Sequence, residues 1–262
     1  MVHQCSLDAA LEALAGQGLV LSKEQKVILE CSLPCKQTEA GVQRLSLWGK
    51  LITRSAKDYL IAEGSSDQFV AAAGLFPLSR YYFSQDGMQW SDLDPVNADV
   101  TARASLLTSQ LTGDPSNLYL LPEKMQEEGE APAAPQKRKK ITELQRISAM
   151  IQGISTLTAL VPKGSQLLDA KNTVKTNKLF AGVQYPEKLE SYLHAKDGPD
   201  GANAAEDVRN TWAIQRDPTK QQTICRSLMY PGYTFFYDER QPAWGDLYVG
   251  TGLRNNDLIF ML

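Results

Sequence analysis

The sequence predicts an α+β protein: N-terminal helices with antiparallel β segments, then a C-terminal antiparallel sheet. Two observations carry that expectation. Positions that repeat at helical spacing fall in a few blocks, whereas runs that alternate apolar and polar residues follow one another with no helix between them. Turn dipeptides punctuate the alternating runs, and no repeat of fixed period is present.

Leu7, Leu11 and Leu14 recur at helical spacing before Gly16 and Gly18, which predicts a first helix and its stop. Ser22 with Gln25 three residues on has the form of a capping box. Val27, Ile28 and Cys31 give the second helix an apolar stripe, and Pro34 should kink or end it. After Gly41, Leu45, Leu47, Gly49 and Leu51 alternate with Ser46, Trp48, Lys50 and Ile52, a strand pattern. Asp58 to Glu63 is its expected partner across a short break. Arg80–Ser84 and Met88–Trp90 flank Asp86-Gly87, a turn dipeptide that predicts a hairpin. Asp94-Pro95 is expected to open a helix, with Val96, Val100, Ala104, Leu107 and Leu111 on its buried face.

Residues 122 to 140 carry three prolines and one large apolar side chain, Met125, so they read as a charged linker or loop. A helix follows, with Leu144, Ile147, Ile151, Ile154 and Thr158 on one face. Pro186 to Leu193 suggests a short further helix, and residues 196 to 210, with Gly198-Pro-Asp-Gly201, a loop. Thr211–Arg216, Thr223–Met229, Thr234–Tyr237 and Asp246–Val249 read as successive antiparallel strands, separated by Pro231-Gly232 and the loop at Gln241-Pro242. The expectation is one α+β domain over residues 1 to 262.

Composition narrows the function. At 262 residues, with 43% apolar and 22% charged side chains and a net charge of −3, the chain has enough apolar surface for a substantial core. It has no overall charge bias toward nucleic acid or anionic lipid. No apolar run is long enough to span a bilayer, and no signal peptide is visible. Cys5, Cys31, Cys35 and Cys225 suit free thiols in a reducing compartment better than a disulfide framework.

The chemical candidates each have a plainer reading. Gly250-Thr-Gly252 lacks the third glycine, which is Asn255 here, and lacks the following helix of a dinucleotide fingerprint; a turn after a strand explains it. Cys31 and Cys35 are spaced as neighbours on a helix face, and only His3 and His194 could complete a metal set, so no metal or cofactor is expected. His194 beside Lys196 and Asp197 reads as a surface position at a helix end, without a nucleophile motif nearby. Lys137-Arg-Lys-Lys140 could meet phosphates, but Glu127, Glu128 and Glu130 precede it and no aromatics interleave, so a solvated loop is the better account. No catalytic residue is assigned.

Aromatics crowd the C-terminal quarter. Phe235, Phe236 and Tyr237 are consecutive and must project to both faces of a strand. Either both faces are core, or one is an interface. The chain closes on Leu258-Ile-Phe-Met-Leu262, an apolar end that needs burial against its own fold or a neighbour. Phe235, Tyr237, Trp244, Tyr248, Leu258 and Phe260 are therefore the candidate partner interface.

Several blocks, in order along nearly the whole chain, resemble the radial spoke head protein 9 family of the ciliary axoneme. They are Leu47-Trp-Gly-Lys-Leu-Ile52 with Asp58-Tyr-Leu-Ile-Ala-Glu-Gly64, the turn Gly113-Asp-Pro-Ser116, Arg226 to Tyr237, and Tyr248-Val-Gly-Thr-Gly252 with the apolar end. The 122 to 140 segment departs from the family pattern. The resemblance implies a non-catalytic subunit of the radial spoke head of motile cilia or flagella. It implies partners among the related spoke head proteins 4 and 6, no nucleic acid or membrane partner, and a part in passing mechanical signals between the central pair and the dynein arms. The alternatives are an independent α+β enzyme or ligand-binding module, or a nucleic-acid-associated protein using Lys137 to Lys140.

Overall fold

A computed structural model describes residue 11 and residues 21–65, 69–71, 74–76, 79–121, 140–170, 174–199, 201–208 and 211–260. The helix expected around Leu7 and Leu14 and nearly all of the 122–140 segment lie outside the described residues.

The first long helix, α1, spans Lys23–Ala40, and Ser22 and Gln25 form its capping box. It runs through Pro34, which does not end it. Leu29 and Leu33 seat one face of it among Leu45, Leu47 and Leu60 of the sheet, and that burial outweighs the lost backbone hydrogen bond. Gly41, left-handed at φ 62°, ends it.

Strand β1, Arg44–Leu51, pairs antiparallel with β2, Tyr59–Ser65. A ribbon of β3, Phe69–Ala71, and β4, Gly74–Phe76, intervenes before β5, Ser79–Ser84. The expected hairpin at Asp86-Gly87 forms, but its return arm is β6, Ser91–Leu93, with Tyr81 opposite Leu93. Met88–Trp90 belong to the turn, because the Asp86 carboxylate accepts from the N–H groups of Met88 and Gln89. Helix α2 is Ala98–Ala104, with Asn97 at its N-cap position but making no side-chain cap hydrogen bond; Asp94 and Pro95 precede it, and Leu107 and Leu111 lie beyond its end. The short strands β7, Leu118–Leu120, and β8, Lys140–Thr142, pair with each other. Helix α3, Glu143–Thr158, follows with a second capping box at Thr142 and Gln145.

Strand β9, Leu160–Pro162, precedes a ribbon of β10, Gln166–Leu168, and β11, Val174–Thr176. The helix expected at Pro186–Leu193 is a single 3₁₀ turn, Leu189–Ser191, running into β12, Tyr192–His194, which pairs with β9. The loop after it holds two more 3₁₀ turns, Ala195–Asp197 and Ala204–Glu206. Four strands complete the described chain: β13, Trp212–Asp217; β14, Gln222–Ser227; β15, Tyr233–Asp238; and β16, Ala243–Gly250.

The main sheet has eight strands in the order β13-β14-β15-β16-β1-β2-β5-β6. It is two antiparallel meanders, one from each end of the chain, joined by one parallel pair, β1 with β16. Each face carries a helix. Helix α3 lays Ile147, Ile151 and Ile154 against Tyr59, Phe235 and Tyr248, and α1 covers Leu60, Leu247 and Val249 on the opposite face. Alternation along β2 sorts its residues cleanly, Tyr59 and Ile61 to one face, Leu60 and Ala62 to the other.

Strand β1 does not keep the simple alternation its sequence suggests. Leu47 pairs with Ala62 and Gly49 with Ile61, so Trp48 is the extra residue of a bulge. The bulge shifts the parity of everything after it. Leu45 and Leu47 stay on the α1 face, while Trp48 and Leu51 join the α3 face.

Candidate assembly surface

Trp48 and Gly49 meet Tyr248 and Gly250 at the parallel seam, where Gly49 stands opposite Tyr248 and Leu51 opposite Gly250. The Trp48 and Tyr248 rings are tilted together at 5.4 Å between centroids. A Cβ on Gly49 would overlap the backbone carbonyl of Tyr248, so only glycine lets the strands approach here. The Trp48 indole donates to Ser155 Oγ of α3 at 3.0 Å. The Tyr248 hydroxyl accepts from the Gly252 N–H at 2.8 Å, and burial pushes its phenol pKa up. Gly250-Thr-Gly252 is thus the exit turn of β16, pinned by the strand's own tyrosine.

A second brace is built around Glu143, the first residue of α3 and fully buried. Its carboxylate accepts from the hydroxyls of Tyr59 at 2.9 Å and Tyr119 at 2.7 Å, from the Gly113 N–H at 2.7 Å, and from both the N–H and hydroxyl of Thr112. Burial alone would raise its pKa; the hydrogen bonds from Thr112, Tyr119 and Gly113 more than offset it and leave the carboxyl below its ordinary value. The positive end of the α3 dipole acts in the same direction. Arg146, one turn on and equally buried, donates to Ser109 and to the Leu107 and Ser109 carbonyls. Its guanidinium lies 4.6 Å from the Tyr119 ring centroid. The brace ties β2, the turn at Gly113, β7 and α3 together.

The six candidate interface residues divide sharply. Phe235, Tyr237, Trp244 and Tyr248 are buried in the chain's own core. Phe235 packs edge-on against Tyr192 at 5.2 Å, and Trp244 against Phe180 at 5.6 Å. The Tyr237 hydroxyl accepts from the Val183 N–H at 3.0 Å. Phe236 is buried on the other face, so both faces of β15 are core. These four rings are occupied by the fold and offer no side-chain surface to a partner. Leu258 is half-buried in a 3₁₀ turn, Leu258–Phe260, and Phe260 is 82% exposed. Residues 261 and 262 lie outside the described residues.

Several exposed apolar groups were not legible in the sequence: Leu118 and Leu120 on β7, Leu167 and Leu168 on β10, and Leu179. Short ribbons give too brief a pattern to show which face is open.

His194 also differs from expectation. It sits in β12, almost fully buried, with Nε2 3.1 and 3.0 Å from the two Asp207 oxygens. The Trp212 indole donates to the same carboxylate at 2.6 Å. Strand pairing with β9, rather than a helix end, draws the imidazole inward. Of the thiols, Cys31 and Cys35 are exposed on α1 and Cys225 is buried, its pKa pushed up to about 12 by burial. That holds Cys225 as an unreactive thiol. Among the described residues no cluster of three or more His, Cys, Asp or Glu side chains could hold a metal ion, and no helix is long and apolar enough to cross a membrane.

Fold and surface together describe an α+β protein braced inside by aromatic and hydrogen-bonded contacts and apolar outside at a few discrete places among the described residues. Comparison with known proteins gives the family. The chain is 30% identical over 280 residues to the radial spoke head protein 9 homolog of Danio rerio, covering 98% of this chain and 99% of that protein. The homologs of Bos taurus and Homo sapiens are each 29% identical over the same shares of both chains. No family model matches. The chain belongs to the radial spoke head protein 9 family.

Proposed function

We propose that this chain is a structural, non-catalytic subunit of the radial spoke head in the axoneme of motile cilia or flagella. It supports assembly of the head and carries load between the central pair and the dynein arms. Its partners are spoke head subunits of the protein 4 and 6 type, not nucleic acid or a membrane. The observation that carries this reading is the end-to-end match to relatives named for the spoke head.

The physical design suits the task. A load-bearing subunit needs a frame that does not shear, and the parallel seam and the Glu143 brace tie both halves of the sheet to α3. The docking element is the C-terminal turn, where Phe260 stands in solvent as an apolar anchor of the kind that interfaces bury. Deleting Leu258 to Leu262 tests this. Co-expression with spoke head partners, followed by size-exclusion and thermal unfolding, should show a folded chain that no longer co-elutes. Unchanged co-elution would remove the docking role.

A further inference from the structure

The ribbon formed by β10 and β11 is more open than the strands of the main sheet. None of its described residues from Gln166 to Thr176 is buried. Leu167 and Leu168 are consecutive on one strand, so they point to opposite faces, and they are 52% and 47% exposed. Both faces of the ribbon are therefore open. Leu179, just beyond β11, is 89% exposed. A two-stranded ribbon with open faces is marginally stable by itself, so a partner that covers these leucines would also order the ribbon.

Charge says what kind of partner. Between residues 163 and 188 the chain has five lysines against Asp169 and Glu187, a surplus of three positive charges in a chain whose net charge is −3. Lys175 is already paired with Asp169 at 2.6 Å. Lys163, Lys178 and Lys188 are exposed, and among the described residues none has a carboxylate partner. Lys188 lies 4.8 Å from the Tyr185 ring centroid, which fixes its position beside a groove of about 460 Å³ at the base of the ribbon. Lys163, Gln184, Tyr185, Lys188 and Asn203 line this groove, with Glu190 the one carboxylate on its wall.

We infer that the β10–β11 ribbon and the groove at its base form a docking site for an acidic protein segment that also carries apolar side chains. Carboxylates of that segment meet Lys163, Lys178 and Lys188, and its apolar groups cover Leu167, Leu168 and Leu179. The site is separate from the C-terminal turn and adds a second contact to the assembly reading, on which it rests.

The test uses the full chain and a dye-labelled synthetic peptide alternating glutamate with leucine, followed by fluorescence anisotropy. Binding should weaken as salt rises and fall about tenfold or more in the triple variant Lys163→Glu, Lys178→Glu, Lys188→Glu. Leu167→Ser with Leu179→Ser should weaken it further, whereas Lys57→Glu, on an exposed turn elsewhere, should not. All four lysines are at the surface, and an unchanged thermal transition verifies that each variant is folded. Equal affinity in the triple variant, or no binding by the native chain, overturns the inference. So does binding to phosphatidylserine vesicles without binding to the peptide. Incorporation into the spoke head with the peptide ignored would sink this site alone; failure to enter the spoke head would sink the assembly reading.

Discussion

Two carboxylates, the fully buried Glu143 and the half-buried Asp246, show how one chemical group is used in opposite ways. Glu143 is surrounded by donors, and its folded pKa lies below the ordinary carboxylate value. Its contribution is therefore present above about pH 4.3 and is lost as pH falls through the lowered folded value. Glu143→Gln puts an amide NH₂ where donors converge and should cost about 2–3 kcal/mol in urea unfolding at neutral pH. The variant should also lose part of the acid limb of the native stability profile. Asp246 is the reverse case: burial raises its pKa even though Tyr233 donates to it at 2.9 Å. Its favourable contribution is fully present below the ordinary value of about 3.9 and is lost as pH rises through the raised folded value. Asp246→Asn keeps an acceptor for Tyr233 without the charge. It should match or exceed native stability at neutral pH, with the advantage fading in acid. A parallel fall in stability of both variants at neutral pH would contradict the distinction.

At the scale of elements, the seam between β1 and β16 leaves no room for a side chain at Gly49. Gly49→Ala drives a methyl into the Tyr248 carbonyl of the neighbouring strand and should destabilise by about 3 kcal/mol. Gly153→Ala is the matched control. Gly153 lies within α3, where the nearest atom to an added Cβ is the Tyr230 hydroxyl at 3.7 Å, so the substitution should stabilise by about 0.5–1 kcal/mol. Denaturant midpoints measure both, and a neutral Gly49→Ala would remove the seam from the account. Local signals served the elements well where each needs only its own residues. The Ser22 capping box, the apolar stripe of α3 and the strand runs after Trp212 are readable because capping and periodicity act within a turn or a strand. They failed where a distant contact decides. Pro34 stays helical because α1 is held on the sheet, and the helix expected at Pro186–Leu193 is cut to one 3₁₀ turn because Tyr192 to His194 pair with β9. The parity switch at Trp48 comes from pairing with β2 and β16.

At the scale of the molecule, two of the blocks that resemble the family meet in space. Trp48-Gly49 and Tyr248–Gly250 are neighbours across the seam, though about two hundred residues separate them in the chain. Gly113 contributes an N–H to the Glu143 brace. The resembling blocks include residues that hold the frame: a Cβ on Gly49 would overlap the Tyr248 carbonyl, so only glycine lets the two strands touch there. The interface was less legible. Four of the six aromatic and apolar candidates went to the core, because abundance of rings says how much surface must be buried and not against what. Phe260 stays in solvent, on the 3₁₀ turn Leu258–Phe260. We propose that this protein works by holding neighbours together in the axoneme. Native sizing of the endogenous chain released from isolated cilia tests that most directly. It should appear in a very large assembly together with other spoke head subunits; recovery as a small free species, or absence from cilia altogether, would contradict that role.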